Sequence, residues 1–221
     1  MFSLPQRAFA EVVGTFILVV CGCGAVAANV ETAALGHAGV ALTWGLVVLA
    51  LVYTFGDVSG AHLNPAVTIG FVAAGRFRVK EALWYIPAQF LGALVAAAAL
   101  RLLFPEDTLL GSTLPRGGDA GRSFAFETFL TWFLMLAVLR VSTGAKEKGI
   151  TAGIAVGAII GLEAMFAGPL CGASMNPARS VGPAVVSGHL EHLWVYLAAP
   201  PLGALLAVAT DRLLSPSPGQ G

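Results

Sequence analysis

Two stretches of this chain keep polar groups where an otherwise apolar sequence has little use for them. Residues 60–71 read GAHLNPAVTIGF and residues 171–182 read CGASMNPARSVG. Each sets Asn-Pro-Ala behind Gly-x-x-x and ahead of a short apolar run, giving Asn64, Pro65, Ala66 and Asn176, Pro177, Ala178; the second adds Arg179. Inside a membrane an unpaired arginine is expensive and an asparagine without partners somewhat less so. A carboxamide offers donors and an acceptor, and a guanidinium offers a fork of donors; neither titrates near neutrality. Groups of this kind select and orient a neutral hydrogen-bonding molecule rather than move protons or attack bonds. No nucleophile–base pair and no metal-ligand constellation stands out elsewhere, so the reading is of a protein that is not an enzyme and that needs no metal and no cofactor.

The elements that must position these groups follow from composition. Hydrophobic residues make up 57% of the 221 and charged residues 11%, with a mean hydropathy of +0.83. A soluble domain carries about 25% charge, so the chain reads as an integral membrane protein whose surroundings are the lipid bilayer. A spanning helix needs about 20 apolar residues. Six stretches qualify, at about 8–28, 36–56, 83–103, 123–143, 149–168 and 191–213. The first contains Glu11 and runs on without a good cleavage pattern, so it is read as a helix and not as a signal peptide. A formal net charge of zero gives no argument for nucleic acid.

Charge placement orients the chain. An even number of spans puts both termini on one face, together with Arg7, Arg76, Arg78, Lys80, Arg140, Lys146, Lys148 and Arg212. The other face has Arg101, Arg116 and Arg122 among Glu31, Glu106, Asp107, Asp119 and Glu191. Lys and Arg concentrate in cytoplasmic loops, which predicts cytoplasmic termini. Cys21, Cys23 and Cys171 fall in apolar or re-entrant segments and read as small buried thiols.

The chain forms one domain over residues 1–221, divided by the loop at 104–123 into two copies at about 5–103 and 120–213. Each copy opens on a helix with an early carboxylate, Glu11 or Glu127, then a second helix, the Asn-Pro-Ala device and a third helix. Three spans per copy make the copies enter from opposite sides, an inverted repeat. The apolar runs at about 65–73 and 177–186 are too short to span and read as re-entrant half-helices. Asn is a strong N-cap and Pro is favoured at the first helical position, so Asn64 and Asn176 cap half-helices that start at mid-membrane. Extended segments before each Asn would then line a lumen with carbonyls, since non-helical backbone survives at that depth only when buried or wet. Each helix start carries about half a positive charge, and two of them disfavour cations. With each Asn oxygen tied up locally, its NH2 group is free for the lumen and breaks a proton-carrying chain of water.

These residues resemble the aquaporin, or major intrinsic protein, family. HLNPAVTIG and GASMNPARSVGPA are similar to its two signature boxes and AEVVGTF to its first helix, over about residues 5 to 213. The resemblance implies an all-α hourglass of six transmembrane helices plus two re-entrant half-helices, a homotetramer with one pore per subunit, and passive conduction of water or small uncharged solutes. It implies that Glu11 and Glu127 brace the re-entrant loops. It places a four-residue selectivity filter at Trp44, Ala164, Ala173 and Arg179. Strict water channels usually have Phe and His at the first two positions; alanine at 164 widens the constriction, which suits glycerol, urea or neutral acids. Dedicated glycerol facilitators usually carry Asp where Ser180 stands; Ala184 is of the water-channel type, and Leu197 replaces a usual Trp. MFAGPLCGASMNPARSVGPA looks most like plant nodulin-like intrinsic proteins and their bacterial relatives, associated with glycerol and with boric, silicic or arsenous acid. A bacterial inner membrane is the expected location.

Other residues keep open readings. Glu163 braces a loop, stays neutral with a proton, or touches the lumen; bracing is favoured. His62 lines the vestibule on the side of the termini or simply packs. His189, Glu191 and His192 read as a solvated cap rather than a metal site. A water-selective pore remains an alternative. A coupled transporter also uses inverted repeats and broken helices, but it usually needs titratable residues at the midplane, where Asn64 and Asn176 stand instead. An ion channel conflicts with the positive helix ends and Arg179.

Overall fold

The structure, a computed structural model, describes residues 2–142 and 146–215, with side chains described for all of these except 146–150. The side chains of Lys146 and Lys148 and residues 216–221 of the SPSPGQG tail therefore lie outside the described residues. Among the described residues the regular elements are helical: α1 (Leu4–Thr32), α2 (Gly36–Ser59), α3 (Pro65–Ala73), α4 (Val79–Leu103), α5 (Ala120–Val141), α6 (Lys146–Cys171), α7 (Pro177–Ser187) and α8 (Leu193–Leu213), with a short 3-10 turn at Arg116–Gly118. Six are long and apolar enough to cross a membrane, and α3 and α7 are the two half-helices.

Most spans exceed their hydropathy limits because polar residues can cap a helix that apolar residues fill. α1 begins at Leu4 instead of residue 8, where the Ser3 N–H donates to Gln6 Oε1 at 2.9 Å. It continues to Thr32 and stops at Ala33, whose φ of 54° is left-handed. α5 starts at Ala120, where the Asp119 carboxylate accepts the Arg122 N–H at 2.9 Å. α6 carries through Pro169 to Cys171, because a proline in the last turn removes one hydrogen bond without ending the helix.

The packing repeats across the two halves of an inverted repeat. α1 packs along α4 as α5 packs along α8, while α2 packs against α6 between the halves. Each half-helix leans on the last helix of the other half, α3 on α8 and α7 on α4. The tightest approaches are duplicated too. A β-carbon at Gly92 would overlap the Val12 carbonyl, and one at Gly203 would overlap the Thr128 carbonyl. Val12 and Thr128 each directly follow the buried carboxylates Glu11 and Glu127. Small residues let helices without a hydrophobic drive between them approach closely. On the face that carries both ends of the helical bundle, Asp211 ties Arg76 at 2.8 Å and Arg140 at 3.4 Å. The large apolar side chains that face outward, among them Leu83, Trp84 and Leu102, suit a hydrocarbon surround.

Candidate functional site

The two half-helices begin face to face at the centre of the bundle. The Asn64 Oδ1 accepts the Ala66 N–H at 2.9 Å, and the Asn176 Oδ1 accepts those of Ala178 at 3.0 Å and Arg179 at 3.3 Å. Each amide also reaches the other loop: Asn64 Nδ2 donates to the Met175 carbonyl at 2.8 Å and Asn176 Nδ2 to the Leu63 carbonyl at 2.9 Å. The NH2 groups are thus not wholly free. One hydrogen of each locks the opposite loop, and the second remains available in the central cavity that both asparagines line.

The segments preceding the asparagines are not simply extended. Gly60, Ala61 and Leu63 have φ of 85°, 48° and 52°, and Gly172, Ala173 and Met175 have 88°, 42° and 53°. Left-handed backbone at a non-glycine residue costs about 1–3 kcal/mol and persists only where its surroundings over-determine it. The surroundings here are carboxylates. Glu11 Oε1 accepts from the His62 N–H at 3.0 Å and Ser59 Oγ at 2.7 Å; its Oε2 accepts from the Leu63 N–H at 2.6 Å and Gln89 Nε2 at 2.8 Å. Glu127 accepts the Ser174 N–H at 2.8 Å on Oε1 and the Met175 N–H at 2.7 Å on Oε2. A tyrosine closes the start of each segment: Tyr85 Oη donates to the Ser59 carbonyl at 2.8 Å and Tyr196 Oη to the Cys171 carbonyl at 2.7 Å.

A cavity of about 140 Å³ runs past both asparagines. Trp44, Ala164, Ala173 and Arg179 line it towards the face opposite the termini, and His62 and Phe71 line it on the other side of the asparagines. The Arg179 guanidinium lies 4.6 Å over the Trp44 ring and donates from Nη1 to the Gly111 carbonyl at 2.8 Å. Arginine is only 4% exposed there. Such a stack with a charge-assisted hydrogen bond fixes the fork in one orientation. Ser180 carries on into a hydroxyl chain, 2.8 Å from Thr113 Oγ1 and 2.6 Å from Ser174 Oγ. His62 sits with Nδ1 3.1 Å from Thr68 Oγ1 and stacks on Phe71 at 4.7 Å between centroids.

Sequence reasoning missed Gly111, Thr113, Gln89, Tyr85 and Tyr196. The loop residues gave no signal beyond the length of their connection. The tyrosines gave one: Tyr-x-x-x-x-x-Leu-Gly-Ala-Leu stands in both α4, from Tyr85, and α8, from Tyr196. The bracing role favoured for Glu163 does not hold, because neither of its oxygens has a hydrogen-bond partner among the described residues. It is fully buried and absent from the cavity lining, since its helix turns Ile160 and Ala164 to the lumen. Cys21 is exposed on the outside of α1, unlike buried Cys23 and Cys171. His189 turns Nδ1 to Ser187 Oγ at 3.2 Å.

Residues 2–210 match the family model described as Major intrinsic protein. The chain belongs to the major intrinsic protein family. It is 46% identical to Aquaporin NIP1-3 of Oryza sativa subsp. japonica over 220 residues, covering 97% of this chain and 76% of the relative. It is 44% identical to Nodulin-26 of Glycine max over 210 residues, covering 93% of this chain and 77% of that one. Among solved structures it matches the aquaglyceroporin from Plasmodium falciparum with a TM-score of 0.88 and 28% identity, over 97% of this chain and 98% of the other. The shared fold is the aquaporin hourglass in an integral membrane protein. These relatives are plant and parasite proteins, so the bacterial location finds no support among them.

Proposed function

We propose that the protein is a passive channel for water and small uncharged solutes, with glycerol, urea and neutral metalloid acids such as boric or arsenous acid as candidates. Trp44, Ala164, Ala173 and Arg179 form its selectivity filter, and Asn64 and Asn176 its central donor pair. The observation that carries this reading is the asymmetry of the constriction. A flat indole with the Arg179 guanidinium stacked on it lines one cavity together with two methyl side chains, Ala164 and Ala173. A carbon chain can lie on the apolar side while its hydroxyls accept from the guanidinium. A neutral solute loses little on entering, whereas a cation meets Arg179 and two positive helix ends. The names of the relatives agree, an aquaglyceroporin among them. Glu11 and Glu127 act as braces of the pore loops, and His62 as part of the vestibule wall.

The assembly proposed is a homotetramer with one pore per subunit. The membrane proposed is the plasma membrane, the inner one if the source is bacterial, with both termini cytoplasmic on the Lys and Arg distribution. The deciding experiment is light scattering of proteoliposomes under gradients of sucrose, glycerol, urea and boric acid. Solute entry well above that of empty vesicles supports the reading. Passage of water alone makes the protein a water-selective aquaporin and sinks the filter argument. The Trp44→Phe, Ala164→His double variant should lower the glycerol-to-water permeability ratio about tenfold, the scale on which one added group at a constriction discriminates.

A further inference from the structure

We infer that Gly22, on α1 and outside the cavity lining, sets the width of the constriction by giving the Trp44 indole a place to lie. This rests on the reading of Trp44 as a wall of the filter. A β-carbon at Gly22 would overlap Cε3, Cζ3 and Cη2 of Trp44, so the six-membered part of the ring lies directly on the α1 backbone. The guanidinium of Arg179 lies 4.6 Å from the ring on its lumen side. The indole is therefore a slab held between a helix backbone and a cation, and only 9% of the residue is exposed.

None of the supports can move away. α2 is fixed just beside Trp44, where a β-carbon on Gly45 would stand 2.7 Å from the Gly157 carbonyl of α6. Arg179 is held by the Gly111 carbonyl and by its own position in the first turn of α7. The three heavy atoms nearest a β-carbon at residue 22 all belong to the indole, so a side chain there pushes the ring off α1, towards the face on which Arg179 and the lumen lie. The added Cα–Cβ bond is about 1.5 Å long, and packed interiors transmit displacements on that scale instead of absorbing them. A carbon-bearing solute would be obstructed well before water. Glycine in the middle of a helix is unfavourable relative to alanine, and the contact with Trp44 supplies a packing reason for it at residue 22. Gly22 is a positioning residue: it acts through Trp44 and touches no solute.

The test uses the full-length protein in proteoliposomes, with the ratio of glycerol to water permeability as readout. Gly22→Ala should lower that ratio about tenfold. Placing Trp44→Phe in the same background should bring it to within about twofold of Trp44→Phe alone, because residues in contact are non-additive. An unchanged ratio in Gly22→Ala, with a changed one in Trp44→Phe, overturns the inference and leaves Trp44 in the filter. No change in either overturns the filter reading and the inference with it. If Gly22→Ala does not accumulate folded, its yield is compared with and without Trp44→Phe. Recovery with the smaller ring supports the contact, and equal failure in both backgrounds overturns it.

Discussion

The two pore loops share a frame and differ in what completes it. In each, a buried glutamate accepts the N–H groups of the two residues before the asparagine. In each, a tyrosine from the last helix of the same half holds the carbonyl five residues before the asparagine. In each, the residue two before the asparagine meets the residue four after it: His62 with Thr68, and Ser174 with Ser180. The difference begins four residues beyond the tyrosines. There α4 carries Gln89, which donates to both Glu11 and Thr68, and α8 carries Pro200, which has no side-chain donor. The third partner of the second loop comes instead from the connection between the halves, as Thr113 on Ser180 and Gly111 on Arg179. Three residues after the asparagines stand Val67 and Arg179. The first loop is closed by helices and reads as built to hold; the second is finished by a loop and, on the filter role proposed for Arg179, reads as built to select.

The largest effect should come from breaking the brace on the closed side. Glu11→Gln puts an amide N–H where four donors converge on two oxygens. Leaving buried donors without an acceptor should cost about 3–5 kcal/mol. Glu127→Gln disturbs the two loop N–H donors on the other side and should cost about 1–3 kcal/mol. Thermal unfolding in detergent orders the two, and equal losses would mean that Gln89 and Ser59 add nothing to the first brace.

The frame was legible in the sequence and its completion was not. Hydropathy, the duplicated Asn-Pro-Ala boxes and the paired early glutamates locate the six spans and both half-helices, because burial and capping act over neighbouring residues. The sequence predicts extended backbone where Ala61, Leu63, Ala173 and Met175 are left-handed. Nothing in an alanine, leucine or methionine announces a positive φ; tertiary acceptors impose it. The hold of Gly111 on Arg179 spans 68 positions of sequence through a backbone carbonyl, which every residue possesses. Glu163 shows the opposite failure: a carboxylate beside Ala164, a position proposed for the filter, suggests a partner, and the helical turn aims it elsewhere.

An intermediate effect separates the shared centre from the added arginine. Asn64→Asp and Asn176→Asp each place a negative charge against the positive helix starts. Each should open a proton or cation leak, followed with a pH-sensitive dye trapped in proteoliposomes. Arg179 stands in series with both, so Arg179→Val in either background should raise the leak about tenfold further, the factor that corresponds to about 1.4 kcal/mol of barrier. Equal leak with and without Arg179 would put the whole ion barrier at the asparagines and reduce the second loop's arginine to solute binding.

The smallest effect tests the pair of positions that both loops link. Thr68→Val keeps the shape but leaves His62 Nδ1 without its neighbour and removes an acceptor from Gln89 in a site closed by helices. It should cost about 1–1.5 kcal/mol, the value of a buried hydrogen bond whose partners cannot move. Ser180→Ala removes one hydroxyl from a chain in which Thr113 belongs to a loop and Ser174 still donates to the Asn176 carbonyl at 2.9 Å. A loop can resettle, so the cost should be about 0.5 kcal/mol. The glycerol rate should then move more in Ser180→Ala than in Thr68→Val, against the order of stability, because Thr113 stands two residues from the Gly111 carbonyl that orients Arg179. If permeability instead falls in the same order as stability, the second loop is no freer than the first, and the division between holding and selecting fails.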